Sequence, residues 1–178
     1  MKVQEIMTQP VASCRPNDGL QTAAQSMWEN DVGALPVVGD EGNLVGFITD
    51  RDVCMSAYTK GQPLCDLSVA DAMAKKVIAC KPQDSLALAV RMMRSNQIRR
   101  LPVVDDVETL QGILSVNDVA RLAELRQTDG MARELTGTLA AITKPRSRAP
   151  TDVDAAKVQP LGPAEGPAEE RARVPAAP

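Results

Sequence analysis

Two short stretches carry the residue types that could do chemistry: GFITDRD at 46–52 and GILSVND at 112–118. Each has a glycine, two apolar residues, a hydroxyl residue and, three positions later, an aspartate: Thr49 with Asp52, and Ser115 with Asp118. Two chemistries fit this spacing. In a capping box the hydroxyl accepts an early helical N–H and the carboxylate reaches back to the N–H of the cap residue. Alternatively the carboxylate lines a site and accepts hydrogen bonds from a ligand. These residues alone favour the cap and leave the ligand open.

Little else in the chain could act on a substrate. There is no histidine, which removes the commonest general base and the commonest metal ligand. The four cysteines, Cys14, Cys54, Cys65 and Cys80, form no C-x-x-C and lack metal-site spacing. They read as buried, inert thiols of a cytosolic protein. No nucleophile has a base beside it, and Lys60-Gly61 has no glycine-rich loop before it, so it is a turn rather than a phosphate loop. An enzyme is the least supported class.

The composition narrows the partners. Of 178 residues 44% are apolar, and the net charge is −3, which is not the footprint of a nucleic-acid binder. Trp28, Phe47 and Tyr58 are the only aromatics, too few for a base-stacking platform. No run approaches the roughly 18 apolar residues that a membrane span needs, and the N-terminus lacks the apolar stretch of a signal peptide. A cytoplasmic protein with no nucleic-acid or membrane partner is expected.

The elements that position the two aspartates are written twice. Shifted by 66 positions, residues 3–54 align with 69–120 without a gap, and LPVV at 35–38 recurs unchanged at 101–104. Val11–Cys14 and Val77–Cys80 read as short strands, each followed by proline and an aspartate suited to N-capping, Asp18 or Asp84. Leu20, Ala23, Ala24 and Met27, echoed by Leu86, Ala89, Val90 and Met93, keep the i, i+3, i+4, i+7 rhythm of a helix face. LPVV and the apolar runs 44–48 and 110–114 form a hairpin in each copy, and the hydroxyl-x-x-Asp element opens a second helix. Each unit is β-α-β-β-α. A unit of this size buries too little surface alone, so the two hairpin sheets are expected to face each other across a pseudo-twofold axis. Leu35, Val37, Ile48, Leu101, Val103 and Leu114 are then core. Residues 1–60 form the first motif and 61–126 the second. Gly130 interrupts the helix that ends the second motif, 127–143 form an amphipathic helix, and the Pro/Ala-rich stretch 144–178 reads as disordered.

Across residues 3–124 the doubled pattern resembles a tandem pair of cystathionine-β-synthase (CBS) domains, a Bateman module. The resemblance implies an α+β fold and clefts between the motifs that bind adenosine-containing ligands: AMP, ADP, ATP or S-adenosylmethionine. It implies a regulatory module acting on a partner protein, with no fixed cofactor. Carried over by position, one cleft combines Ile113, Ser115 and Asp118 with Asp18, Ala23 and Val32. The other combines Phe47, Thr49 and Asp52 with Asp84, Ala89 and Ile98. The aspartate of the element would accept from the ribose hydroxyls, so capping and binding need not exclude each other. Arg99 and Arg100 precede the second LPVV where Gly33 and Ala34 precede the first. They are either solvated charges or phosphate contacts, and as contacts they favour the Asp118 cleft as first occupied. The resemblance also implies a homodimer, with Met27, Trp28, Met93 and the segment 131–142 as contacts. Two other readings stand beside the sensor: a docking module with empty clefts, and a redox regulator using the cysteines.

Overall fold

Both copies of the pattern fold alike. The computed structural model describes residues 1–126 and 129–144. In the first repeat, helix α1 (Leu20–Glu29) leads to strands β1 (Ala34–Val38) and β2 (Leu44–Thr49) and to helix α2 (Asp50–Lys60). After the short helix α3 (Val69–Ala72), the second repeat has α4 (Leu86–Asn96), β3 (Arg100–Val104), β4 (Leu110–Ser115) and α5 (Val116–Arg126). Helix α6 (Asp129–Ile142) closes the described chain. The class is α+β. The segment past Lys144 lies outside the described residues.

Each hairpin is antiparallel, with Leu35 opposite Ile48 and Val37 opposite Gly46, and with Leu101 opposite Leu114 and Val103 opposite Gly112. All six expected core residues are fully buried. The prolines between them, Pro36 and Pro102, are buried as well, so each LPVV is covered on both faces. A strand buried on both sides reads as an unbroken apolar run, which LPVV is. The two hairpins also join at their tips, where Leu44 N–H donates to Glu108 O (3.0 Å) and Leu110 N–H to Gly42 O (3.2 Å).

The expected third strand shrinks to one bridge in each unit. Cys14 N–H donates to Pro36 O (3.1 Å) and Val38 N–H to Cys14 O (2.9 Å), a parallel bridge between Cys14 and Val37. The next rung would need an N–H on Pro36, which proline lacks. Pro102 stops the ladder beside Cys80 in the same way.

The helix faces follow the predicted rhythm, with Leu20, Ala23 and Met27 buried on α1 and Leu86, Ala89, Val90 and Met93 on α4. Their caps do not. Gly19 and Ser85 are the N-cap residues, one position after the expected Asp18 and Asp84. The aspartates instead close the turns before them, accepting from Arg15 N–H (2.7 Å) and Lys81 N–H (2.8 Å). A carboxylate held by that local bond is not available to the helix.

The two cores do not divide at residue 60. Leu67 and Val69 belong to the core of Leu20, Leu35 and Ile48, while Val3 belongs to that of Leu86, Leu101 and Leu114. Each repeat donates its leading segment to the other half. Val3 N–H bonds Asp84 O (3.0 Å) and Val69 N–H bonds Asp18 O (2.8 Å). Thr8 pairs with Ile113 and Ala74 with Phe47 through reciprocal backbone bonds. The repeated glycine makes room for this exchange. A Cβ on Gly112 would lie 2.7 Å from Met7 Sδ and 3.2 Å from Thr8 O, and one on Gly46 would lie 2.5 Å from Met73 Sδ.

Helix α6 breaks the internal symmetry. It packs across α4 and α5, with Leu135 and Ile142 against the second core and Thr138 buried. Gly130 stands inside this helix rather than interrupting the chain before it.

Candidate functional site

Both hydroxyl-x-x-Asp elements begin a helix, and both build the cap. Thr49 is the N-cap of α2, its backbone extended (φ −119°, ψ 162°) where the strand ends. Its hydroxyl accepts from Asp52 N–H (3.3 Å), and Asp52 Oδ2 accepts from Thr49 N–H (3.0 Å) and from Thr49 Oγ1–H (2.7 Å). Ser115 and Asp118 repeat this at 2.7 Å for the N–H and 2.6 Å for the hydroxyl. In both, the cap consumes one carboxylate oxygen, Oδ2.

The second oxygen separates the two sites. Asp52 is half-buried, and its Oδ1 has no hydrogen-bond partner among the described residues. Asp118 is only 6% exposed. Its Oδ1 is held by the Arg121 guanidinium in an i,i+3 ion pair and accepts from Thr8 Oγ1–H (3.4 Å). Thr8 and Arg121 were not among the residues expected at the site. The 66-residue register holds the signal, because Ala74 and Met55 occupy their positions in the other copy.

The arginines also depart from expectation. Arg99 is exposed, and its carbonyl accepts from Val116 N–H (3.0 Å). Arg100 reaches the first repeat rather than Asp118. Its Nη2 lies 3.5 Å from where a Cβ on Gly33 would stand, beside the Asp50 carboxylate. Half-buried, it has no ion pair or side-chain hydrogen bond among the described residues. Burial and then the neighbouring Arg99 charge lower its pKa, and Asp50 opposes them. A half-buried cation with a nearby carboxylate but no ion pair can still take an anion.

The remaining expected residues fall in five places. Ile113 and Phe47 are half-buried on their strands, bridged to Thr8 and Ala74. Asp18 and Asp84 close turns. Ala23 and Ala89 have no exposed surface and belong to the cores. Ile98 packs against the second core. Val32 is 39% exposed and joins Trp28, Asp31, Gly33 and Asp50 around a cavity of about 380 Å³ between α1 and α2. That places Val32 with first-repeat residues.

The cysteines split in two. Cys14 and Cys80 are buried, and burial, with the Asp18 and Asp84 charges adding, pushes each thiol up to about 12. They remain thiols near neutral pH and are poor nucleophiles. Cys54 and Cys65 are exposed.

The description "CBS domain" matches residues 3–57 and again 69–124. The chain belongs to the CBS-domain family. It carries two such domains, and the resemblance seen in the repeat is that family. The CBS domain-containing protein YhcV of Bacillus subtilis is 38% identical over 118 residues, which are 66% of this chain and 82% of that protein. A solved structure of CBSX2 in complex with AMP superposes with a TM-score of 0.63 at 29% identity, covering 71% of this chain and 98% of that one. The CBS domain pair of protein MJ0100, in complex with 5′-methylthioadenosine and S-adenosyl-L-methionine, gives 0.64 at 25% identity, covering 71% and 98%. Among the described residues of this CBS pair, no helix is long and apolar enough to cross a membrane.

Proposed function

We propose that this CBS pair binds an adenosine-type ligand between its two halves and, in the cytoplasm, changes its association with a partner protein when the ligand is bound. One observation carries the reading. Among the described residues, the cap fixes Asp52 through Oδ2 and leaves Oδ1 without a partner, while Arg100, beside Gly33 and Asp50, is a half-buried cation without an ion pair. An acceptor and a cation, both preplaced, are what a ribose and its phosphate require. AMP in CBSX2, and the two adenosyl compounds in the MJ0100 pair, support the class of ligand. The ligand acts reversibly, as an effector rather than a resident cofactor. It moves the partner equilibrium only by binding one state better than the other.

Calorimetric titration with AMP, ADP, ATP and S-adenosylmethionine tests this. A saturable heat from at least one ligand is expected, with phosphate-bearing ligands ahead because of Arg100. Silence from all four would overturn it.

A second reading, docking of a second copy or another protein, is favoured by a separate observation. Helix α6 covers α4 and α5, but the equivalent face of α1 and α2 has no such helix among the described residues. It holds the 380 Å³ cavity, Trp28 is 87% exposed and Tyr58 is 56% exposed. The two readings meet at Gly33 and Asp50, which line the cavity and stand beside Arg100.

A further inference from the structure

The two CBS repeats place one such carboxylate each at a helix start, yet among the described residues only that of Asp52 has an oxygen without a partner. Asp118 Oδ1 faces Arg121 and Thr8, both able to donate; Asp52 has Met55 and Ala74 in their places, neither able to donate from its side chain. A ribose hydroxyl seeking Asp118 must therefore displace a charge-assisted bond before making its own. At Asp52 no bond to Oδ1 from a described residue has to break. We infer that Arg121, helped by Thr8, keeps the Asp118 cleft shut to ligand, so that the Asp52 cleft with Arg100 is the first adenosine site and Asp118 becomes one only when Arg121 lets go. This rests on the ligand reading above and deepens it.

The arrangement is suited to opening. The Arg121 side chain is 68% exposed while that of Asp118 is 4% exposed, so the guanidinium can swing into water without disturbing the core. Its release leaves the Ser115–Asp118 cap intact, because the cap uses the other oxygen. Arg121 thus controls access and does not hold the helix start together. The order of filling is the reverse of that expected from the two arginines in sequence, because Arg100 serves the first repeat's side.

The full chain is titrated with AMP as wild type, Arg121→Ala, Arg121→Gln, Thr8→Ala and Asp52→Ala, with a melting curve for each variant to establish that it folds. Wild type should bind one AMP per chain tightly, and Asp52→Ala should weaken that site about 10- to 100-fold, the loss of hydrogen bonds to a charged acceptor. Arg121→Ala and Arg121→Gln should each strengthen a second site by about 10-fold or more, with Thr8→Ala giving a smaller gain. In the Arg121→Ala background, adding Asp118→Asn should remove that second site. Two equal sites in wild type, a tight site that survives Asp52→Ala, or weaker binding in both Arg121 variants would overturn the inference while leaving the ligand reading intact. Silence toward AMP from every protein, with the other three ligands silent too, would overturn both. Binding of another of those ligands alone moves the same series to that ligand, judged by the same outcomes.

Discussion

Asp118 Oδ1 accepts from Thr8 Oγ1–H at 3.4 Å, joining the start of α5 to a segment 110 residues earlier in the chain. The equivalent contact is missing from the other half, where Ala74 stands opposite the Asp52 region. The same capping box is therefore supported differently in its two copies.

Ligand-free stability should reveal that difference. Asp52→Ala removes a cap and should cost about 1 kcal/mol. Asp118→Ala removes a cap and also the Arg121 ion pair and the Thr8 contact, both made by exposed side chains, so a loss up to about 1 kcal/mol larger is expected. Urea denaturation of the two variants reads both. Equal losses would show that the Thr8 and Arg121 contacts add nothing to the fold.

The repeated glycine supplies a second comparison. Gly112→Ala would press on the Thr8 carbonyl, which is backbone, as well as on Met7 Sδ. Gly46→Ala meets chiefly Met73 Sδ, the end of a flexible side chain, with Val37 Cβ at 3.3 Å. Overpacking of this kind costs about 1–3 kcal/mol, and Gly112→Ala should fall at the upper end with Gly46→Ala below it. Equilibrium unfolding distinguishes them, and the opposite ranking would mean that Met73 cannot yield.

Alkaline pH should weaken the protein through its buried thiols. The folded-state values of Cys14 and Cys80, raised to about 12 from an ordinary 9.0, mean that the native state holds these protons more tightly than the unfolded chain does. The resulting stability is complete below pH 9 and is lost as pH climbs from there toward 12. Melting temperature should fall across that window, and Cys14→Ala with Cys80→Ala should flatten the fall. An unchanged slope in the double variant would assign the alkaline loss to other groups.

The helices and hairpins were legible because they depend on local rhythm, and LPVV read as a buried strand of each hairpin. The exchange of leading segments was not legible. The sequence repeats Val3 as Val69, but only the folded chain tells which core each enters. The site was half legible for the same reason. Thr49, Asp52, Ser115 and Asp118 form a local cap whose spacing is visible in the chain. Arg100 crosses to Gly33 and Thr8 crosses to Asp118, and such crossings leave no periodic trace. Pro36 offered a clue to the short third strand, since its missing N–H falls where the next rung would form.

The last prediction concerns the face that α6 leaves bare. Of the side chains expected at a dimer contact, Met27 and Met93 are buried in the two cores, and that of Met131 lies outside the described residues. Trp28 remains, with its ring in solvent beside the α1–α2 cavity, and so does Leu139 on α6, which is 40% exposed. The matching face of the second repeat is covered by α6. A twofold dimer that buries α1 and α2 against the same face of a second copy uses the surface still open, and twofold pairing is the commonest homo-oligomer. Sedimentation equilibrium at high micromolar concentration should give twice the 19.0 kDa chain mass. Trp28→Lys should return a monomer while leaving the dilute protein's melting temperature nearly unchanged, because an exposed side chain contributes little to the monomer's own stability. Wild-type protein that stays monomeric would overturn the dimer, and a Trp28→Lys protein that still pairs would move the contact away from α1 and α2.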